Sequence, residues 1–304
     1  MAAKQADPLC IDIASLPDIS QDEMDFRDTS FFQPGNPLNE LPSPASILQQ
    51  FGDRGATVVK MPHLNLAVKL GHNSYLRLEK AQTMIAMKQV FTDGQVPVPE
   101  VFGWRKHGDL NFIYMSLVPG KTLRQAWPTL TDEDKKAICG DLRRIVSELR
   151  RLSQGSSDRF IGSVNGGTVL DRFFKLDYEE GPFWTIKSFN DWFLAGATRQ
   201  RPGPDGVTGP FREYLPDTGH IYFTHGDLTL GNIMISDPPG PRRVVSIIDW
   251  EQSGWYPEYW EYCKLLYGVE YSHEWRSDKW AYRVVRPYED VWEVFAEYFL
   301  WRCP

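Results

Sequence analysis

The first strong alternation of apolar and polar positions predicts a small β-rich unit between residues 56 and 115. Short runs of β-branched, aliphatic and aromatic residues, separated by turn-forming residues, are typical of strands. Between them lies one segment whose apolar positions recur at the spacing of a helix. The predicted elements are a hairpin of residues 56–61 and 66–70 with a turn at Pro62–Asn65, a helix at 78–90, and strands at 100–104 and 111–115.

Beyond Pro119 and Gly120 the apolar positions follow the longer period of helices. A cap-like segment, Thr131–Asp134, precedes an amphipathic stretch that runs to about Leu152. The order predicts an α+β protein, with a small β-rich lobe followed by a mainly helical lobe that carries a β insert and ends in an aromatic helical tail. The remaining predicted elements are a helix near 188–194, an exposed loop at 201–210, and strands at 221–223, 233–235 and 244–248.

Residues 1–45 differ from the rest in composition. They contain six prolines, and eight acidic residues against two basic ones, so they hold nearly all of the chain's net charge of −7. Such a composition favours a partly disordered extension, although Phe31 and Phe32 are apolar side chains able to dock on the body. We therefore divide the chain into an acidic, proline-containing extension at 1–45, an N-terminal lobe at 46–117 and a C-terminal lobe at 118–304.

Composition narrows the function classes. The chain has 304 residues, 42% of them hydrophobic, which is enough for one large or two modest cores. No basic stripe is visible, which argues against nucleic acid and anionic membranes as partners. The four cysteines are far apart, and neither a signal peptide nor an apolar run of about 18 residues is visible. We expect a cytoplasmic protein in a reducing compartment, and the sequence leaves the oligomeric state open.

The tetrapeptide His-Gly-Asp-Leu occurs twice, at His107–Leu110 and at His225–Leu228. The first copy lies between two adjacent predicted strands, where Gly-Asp is ordinary chemistry for a hairpin turn. Five residues after its aspartate, Asp109, stands Tyr114. We therefore interpret the first copy as a turn.

The second copy is followed by the side chains that phosphoryl transfer needs. Asn232 comes five residues after Asp227, and Asp249 comes 17 residues after Asn232, at the end of a predicted strand. One carboxylate accepts or orients the proton of a substrate hydroxyl, while an amide oxygen and a second carboxylate suit magnesium on the phosphates. Each residue also has a simpler interpretation, a turn for Asp227 and a capping role for Asn232 and Asp249.

These segments resemble the signature of aminoglycoside phosphotransferase-type small-molecule kinases, a superfamily that includes choline kinase-like proteins. The resemblance covers roughly residues 50–300, and the flanking segments are similar to those of fungal members. The matching segments are HGDLTLGN at 225–232, IIDW at 247–250, FTHGD at 223–227, GWYPEYWE at 254–261 and VPVP at 96–99.

The resemblance implies a protein-kinase-like bilobal fold that binds ATP and Mg²⁺ in the cleft between its lobes. Lys60, on the neighbouring strand, competes with Lys69 for the phosphate-binding role, and His225 is expected to pack and hydrogen-bond the loop. The implied site consists of Asp227 as catalytic base, Asn232 and Asp249 as magnesium ligands, Lys69 at the α- and β-phosphates, and backbone groups of Ser116 and Val118 at the adenine.

Two features depart from the family pattern. The family places a glutamate on the helix after the lysine strand, as an ion-pair partner of the lysine, and here that place falls on Lys80. Glu79 is one position earlier, about 100° away around a helix, so it serves as cofactor-binding partner only if the register shifts. A lysine in that place would repel Lys69.

The second departure is the glycine loop. The segment Phe51–Ala56 has two glycines at loose spacing, which favours a phosphate-covering loop and a plain turn equally.

The C-terminal part mixes tryptophan and tyrosine with acidic residues. One interpretation is a pocket for an amine or an aromatic alcohol, and the other is that the rings pack helices together. Glu251, Trp255 and Glu258 lie just past Asp249 and are the candidate substrate residues. Interleaved basic residues make a less charged, partly apolar substrate more natural than a polycation.

The sequence therefore predicts an ATP- and magnesium-dependent phosphotransferase that acts on a hydroxyl group of a small molecule. Two alternatives stay open, a non-phosphorylating enzyme on the same fold and a binding protein that has lost turnover. The complete Asp/Asn/Asp set favours the kinase, since a scaffold does not need all three residues.

Overall fold

The computed structural model describes residues 9–34, 40–52, 57–155, 159–175, 181–200 and 207–302. The weak glycine segment after Gly52 and most of the loop predicted at 201–210 lie outside these ranges. The strands are β1 (Leu9–Cys10), β2 (Glu23–Asp25), β3 (Thr57–Met61), β4 (Leu66–His72), β5 (Val101–His107), β6 (Leu110–Ser116), β7 (Lys121–Thr122), β8 (Leu152–Ser153), β9 (Ile221–Thr224), β10 (Ile233–Ile235), β11 (Val244–Ile247) and β12 (Gly254–Pro257). The helices are α1 (Pro44–Phe51), α2 (Glu79–Val90), α3 (Leu123–Ala126), α4 (Asp132–Leu149), α5 (Arg172–Lys175), α6 (Ile186–Thr198), α7 (Trp260–Tyr267), α8 (Glu274–Ser277) and α9 (Glu289–Arg302).

The small lobe is built on a five-stranded antiparallel sheet in the order β2–β5–β6–β4–β3. The predicted hairpin is confirmed, because β3 and β4 pair from Thr57 opposite Leu70 to Met61 opposite Leu66. The first His-Gly-Asp copy forms the turn between β5 and β6, where Gly108 has a φ of 56°. The turn interpretation of that copy is therefore confirmed.

Parts of the acidic N-terminal extension pack against the body. Strand β2 pairs with β5, and a Cβ on Gly103 of β5 would lie 2.2 Å from the carbonyl oxygen of Met24, so only glycine permits this approach. The indole of Trp104 donates to the carbonyl oxygen of Gln21 at 3.1 Å, and Phe31 is buried. The docking expected for Phe31 is thus present, and the pairing of β2 was not expected from the acidic, proline-rich composition.

The large lobe has an aromatic core centred on Trp260 of α7. Its ring lies 5.0 Å from that of Phe189 and 5.2 Å from that of Phe193, both on α6, and 5.1 Å from that of Phe295 on α9. Edge-to-face aromatic pairs at such separations stabilise a core beyond the area they bury. The packing interpretation therefore holds for Trp260. The predicted α+β fold with two lobes of these kinds is confirmed.

Helix ends follow the local chemistry of the sequence. Thr131 and Asp134 form a reciprocal capping box at the start of α4, as predicted. Helix α6 extends beyond the predicted 188–194, because the hydroxyl of Thr185 caps its first turn and Arg199 ends it in a left-handed conformation. Among the described helices, none combines the length and hydropathy needed to cross a bilayer.

Candidate active site

The loop after β9 carries the second His-Gly-Asp copy and fixes the position of Asp227. Gly226 has a φ of 73°, and a Cβ there would lie 2.5 Å from the carbonyl oxygen of Gln252, so glycine is required. The side-chain Nδ2 of Asn232 donates to the backbone oxygen of Asp227 at 2.8 Å and to its Oδ2 at 3.0 Å. The five-residue spacing thus brings these two side chains into direct contact.

His225 supports this loop as a neutral ring. Its Nε2 lies 3.1 Å from the carbonyl oxygen of Ile248, and its Nδ1 accepts the backbone N–H of Asp227 at 3.2 Å. Because a carbonyl oxygen only accepts hydrogen bonds, the proton is assigned to Nε2. Burial lowers the pKa of His225 to about 4, so the ring is uncharged near pH 7 and its role is to hold the loop.

Asp249 follows β11 with a left-handed backbone, at φ 66° and ψ 62°. Such a conformation costs a non-glycine residue roughly 1–3 kcal/mol, and strain of this kind concentrates at functional sites. The backbone N–H of Ile248 donates to the carbonyl oxygen of Asn232 at 2.9 Å. The antiparallel pair β10–β11 therefore brings Asp249 to the end of the loop that holds Asn232.

Two lysine ammonium groups meet the same oxygen of Asp249. Nζ of Lys69, on β4, lies 2.8 Å from Oδ1, and Nζ of Lys80, on α2, lies 2.9 Å from it. Glu251 completes this four-charge cluster, since its Oε1 pairs directly with Lys69 and lies 3.6 Å from Nζ of Lys80. Burial opposes ionisation, but Lys80 and Lys69 hold the pKa of Asp249 well below its usual range.

Lys69 rather than Lys60 reaches Asp249. Lys60 lies on β3 with an exposed side chain, whereas Lys69 is 8% exposed. Burial opposes the charged form of Lys69, but the carboxylates of Asp249 and Glu251 raise its pKa. Lys69 is therefore a fixed cation beside Asp249.

Glu79 does not have the place that the family resemblance implies. Its carboxylate accepts from Nη2 of Arg77 at 2.6 Å, so the expected ion pair with Lys69 is replaced by one within the start of α2. Lys80 lies where the glutamate was expected, and the two carboxylates of the four-charge cluster oppose the repulsion that a second lysine causes. Burial and Lys69 together still lower the pKa of Lys80 to about 8. The sequence offered a signal for this arrangement, because Glu251 follows Asp249 by only two residues.

A narrow cavity of about 110 Å³ lies between the lobes, next to the four-charge cluster. Ligand pockets are commonly roughly 300–1,000 Å³, so this one suits a flat ring rather than a whole nucleotide. The backbone N–H groups of Ser116 and Leu117 donate to carbonyl oxygens of other loops, whereas that of Val118 makes no backbone hydrogen bond within the described residues. The cavity walls include Ala67, Lys69, Lys80, Pro99, Met115, Ser116, Val118, Met234, Ile248 and Asp249.

The three candidate substrate residues have different surroundings. Trp255 is 2% exposed and packs edge-to-face on Phe223 at 5.2 Å, so this expectation is wrong and its ring belongs to the core. Glu251 lies in the four-charge cluster. Glu258 donates its backbone N–H to His220, and its backbone oxygen accepts from Arg150 at 2.9 Å. No contact in the described residues links Glu258 to Asp227.

Two cations near Asp227 were missed by sequence reasoning. Nη2 of Arg172, half exposed at the start of α5, lies 3.9 Å from Oδ1 of Asp227. Lys264 is buried and pairs with Asp171 at 2.8 Å. Burial raises the pKa of Asp227, and Lys264 and Arg172 oppose that shift. Arg172 has no local signal, because only the fold brings it next to an aspartate 55 residues later.

Glu261, on α7, holds the same loop from beneath. Its Oε2 accepts the backbone N–H of His225 at 2.7 Å, while its Oε1 is buried without a hydrogen-bond partner in the described residues. Burial raises the pKa of Glu261 to about 7. Glu261 and His225 are therefore both neutral in the folded protein at mildly acidic pH.

We expect the substitution Glu261→Gln to change how stability depends on pH. For Glu261, whose pKa is raised above its ordinary 4.5, folding takes up a proton, so its contribution to stability falls as pH rises from about 4.5 to about 7. For His225, whose pKa is lowered from 6.5 to about 4, the contribution rises over nearly the same window. In the wild type the pH dependences of stability that come from Glu261 and from His225 therefore oppose each other. The variant retains only the one that comes from His225.

The variant should therefore gain on the order of 3 kcal/mol relative to the wild type between about pH 4.5 and 7. Urea unfolding of both proteins across this range measures the difference. Glu297→Gln, on the exposed face of α9, is the matched control and should follow the wild type. Parallel curves for Glu261→Gln and the wild type would show that Glu261 is ionised in the folded state.

The oxygen donors at the site fit one magnesium ion. Asn232 uses its amide nitrogen on Asp227, which leaves its Oδ1 for a metal, and Asp249 has a second carboxylate oxygen beyond the one that the lysines contact. The described residues contain no cluster of three His, Cys, Asp or Glu side chains that would form an all-protein metal site. Magnesium commonly takes one or two protein ligands and completes its shell with phosphates and water.

Comparison with known proteins places this geometry in a family. A model of the phosphotransferase enzyme family matches residues 58–298. The aminoglycoside phosphotransferase APH(3'')-Id from Streptomyces rimosus, solved with ADP and streptomycin, is 15% identical over 85% of this chain and 96% of that chain, with a TM-score of 0.51. A thermostable variant of APH(4)-Ia, solved with AMP-PNP and hygromycin B, is 13% identical over 84% of this chain and 87% of that chain, with a TM-score of 0.50. No protein of curated function matches in sequence. The structural likeness confirms the kinase-like bilobal fold.

Proposed function

Since this chain belongs to the phosphotransferase enzyme family and is therefore a small-molecule kinase, we propose that it transfers the γ-phosphoryl group of ATP to a hydroxyl group, with Asp227 as the base. One observation carries the proposal. The described residues bring Asp227, Asn232 and Asp249 to one end of the cleft, with Lys69 paired to Asp249 beside a ring-sized cavity. Solved relatives with the same fold hold ADP or AMP-PNP, which supports a nucleotide here.

Asp227 is suited to orient and deprotonate an alcohol. Asn232 holds Oδ2 of Asp227, so Oδ1 is the oxygen available to the substrate. In the proposed step the hydroxyl oxygen bonds to the γ-phosphorus, its proton passes to Asp227, and the bond from phosphorus to the bridging oxygen of ADP breaks. Burial raises the pKa of Asp227 and makes it a better proton acceptor than an exposed aspartate.

The nucleotide is proposed to lie with its ring in the cavity and its phosphates toward Lys69. The backbone N–H of Val118 is a donor for the adenine edge, and Ser116 lines the same wall. Asn232 and Asp249 would hold magnesium, which neutralises charge on the transferring phosphates. The pairing of Lys69 with Asp249 supports this placement, because a lysine and a metal-binding carboxylate then face the same phosphates.

The substrate is proposed to be less cationic than an aminoglycoside. Arg172 lies 3.9 Å from Asp227, on the side where the alcohol must approach, and a guanidinium there repels polyamines. The relatives' complexes contain streptomycin and hygromycin B, and this arginine argues against carrying that substrate class to the present chain. A neutral or anionic alcohol with an apolar part fits better.

We also propose a cytoplasmic location, where ATP and reducing conditions coexist. Cys10, Cys139 and Cys263 are free thiols in the structure. Burial raises the pKa of Cys139 to about 12 and that of Cys263 well above its usual range, so neither is a reactive thiolate near pH 7. The absence of a disulfide among these described cysteines suits a reducing compartment.

Calorimetric titration with the non-hydrolysable analogue AMP-PNP, with and without Mg²⁺, tests the nucleotide site. We expect affinity in the micromolar range, as for many enzyme substrates, and tighter binding with the metal. A screen of neutral and anionic alcohols with ATP then identifies turnover. Binding without transfer to any alcohol would favour the catalytically inactive alternative, and absence of binding under both conditions would exclude a nucleotide-dependent function.

A further inference from the structure

Lys80 is buried yet faces the nucleotide cavity. Only 2% of its surface is exposed, and it lines the cavity beside Lys69. A buried ammonium group requires an anion to compensate for lost hydration. In this structure the anion is Asp249, whose Oδ1 lies 2.9 Å from Nζ of Lys80.

The two lysines do not depend equally on Asp249. Lys69 has a second, direct partner in Glu251, whereas Lys80 lies 3.6 Å from that carboxylate. An anionic group that enters the cavity would compete with Asp249 for both ammonium groups. Glu251 holds Lys69 in place, so Lys80 is the ammonium group that can turn from Asp249 to the new anion.

A nucleotide phosphate is the anion that the site can supply. Both Nζ atoms bond the same oxygen of Asp249, so the two ammonium groups are close enough to contact one polyphosphate chain. Where the family pattern has a glutamate, this chain has Lys80, so the net charge of the site is more positive by two units. This difference equals the charge of one divalent cation. Protein kinases commonly use two magnesium ions on the same phosphates.

We propose that Lys80 is a second phosphate-binding residue, which takes over part of the charge neutralisation that magnesium provides and lets this enzyme bind ATP with reduced dependence on metal. Glu251 then acts as the positioning residue for Lys69. The inference rests on the proposed nucleotide site and goes beyond it, because it assigns a role to the residue by which the chain departs from its family pattern.

The test is calorimetric titration of wild type and Lys80→Met with ATP and AMP, each in EDTA and in Mg²⁺. In EDTA, wild type should bind ATP within about tenfold of its affinity in Mg²⁺, and Lys80→Met should bind ATP roughly 10- to 100-fold more weakly than wild type. Affinity for AMP, which lacks the β- and γ-phosphates, should change less than about threefold. Lys88→Met, an exposed lysine on the same helix, is the matched control and should behave as wild type.

Each other outcome overturns the inference. Equal losses for ATP and AMP would mean that Lys80 only holds Asp249 and Glu251 in place. Unchanged ATP affinity in Lys80→Met, with Mg²⁺-dependent binding intact in wild type, would remove the role of Lys80 and leave the proposed function standing. Failure of wild type to bind any nucleotide would overturn both.

Thermal unfolding checks that the variants fold. Lys80→Arg, which keeps the charge, should restore most of the ATP affinity and provides the comparison if Lys80→Met is unstable.

Discussion

Replacing Asp227 with asparagine is expected to lower the turnover number by roughly 100- to 10,000-fold while leaving nucleotide affinity nearly unchanged. Asparagine keeps an oxygen that accepts from Nδ2 of Asn232, so the loop geometry should persist. An amide cannot take the proton of the attacking hydroxyl. The substitution should therefore slow the phosphoryl-transfer step and leave nucleotide binding unchanged. ATP turnover, with water or an alcohol from the screen as acceptor, measures the effect, and AMP-PNP titration of the same protein checks the site.

The chain contains its own control for this substitution. Asp109 stands in the other His-Gly-Asp copy, in the turn between β5 and β6. The variant Asp109→Asn makes the same chemical change in the same tripeptide and should retain full activity. If Asp109→Asn were inactive and Asp227→Asn active, the assignment of the two copies would be reversed.

Local patterns predicted those parts of the fold whose determinants lie close together in sequence. The hairpin β3–β4 follows from two β-type runs around Pro62–Asn65, and the start of α4 follows from the Thr131–Asp134 capping box. Asp227 and Asn232 are five residues apart, so their contact is encoded in one loop. Asp249 could be recognised from the sequence because it comes at the end of a predicted strand. Its left-handed backbone, which orients the side chain, could not be predicted.

Contacts between distant segments could not be predicted in this way. Lys80 reaches Asp249 across 169 residues, and its charge was interpreted as a defect because only Lys69 was considered as its neighbour. Strand β2 pairs with β5 despite an acidic composition that is typical of disorder, since pairing depends on what lies opposite. Trp255 was assigned to substrate binding by its proximity to Asp249 in sequence, but β12 pairs with β9 and is buried on both faces, so the ring lies in the core.

Replacing Asp249 with asparagine is expected to remove the magnesium-dependent part of nucleotide binding. Of the two proposed magnesium ligands, Asp249 alone is charged, and an amide in its place leaves the metal only neutral protein oxygens, so Mg²⁺ should improve the affinity for AMP-PNP by less than about threefold in the variant. Asparagine still offers an oxygen to Lys69 and Lys80, which limits the structural damage. Calorimetric titrations with and without Mg²⁺, compared with wild type, measure the change. Retention of the full magnesium effect would show that Asp249 is not a metal ligand.

The same variant separates the metal role of Asp249 from the phosphate role of Lys80. The four-charge cluster is neutral in the wild type, carries one positive charge in Asp249→Asn and one negative charge in Lys80→Met. Affinity for ATP in EDTA should therefore rise in Asp249→Asn, fall in Lys80→Met, and return near the wild-type value in the double variant, because opposite charges at a shared site compensate. If both single variants lowered ATP affinity in EDTA, the cluster would act through its structure rather than its charge, and Lys80 would have no direct contact with phosphate.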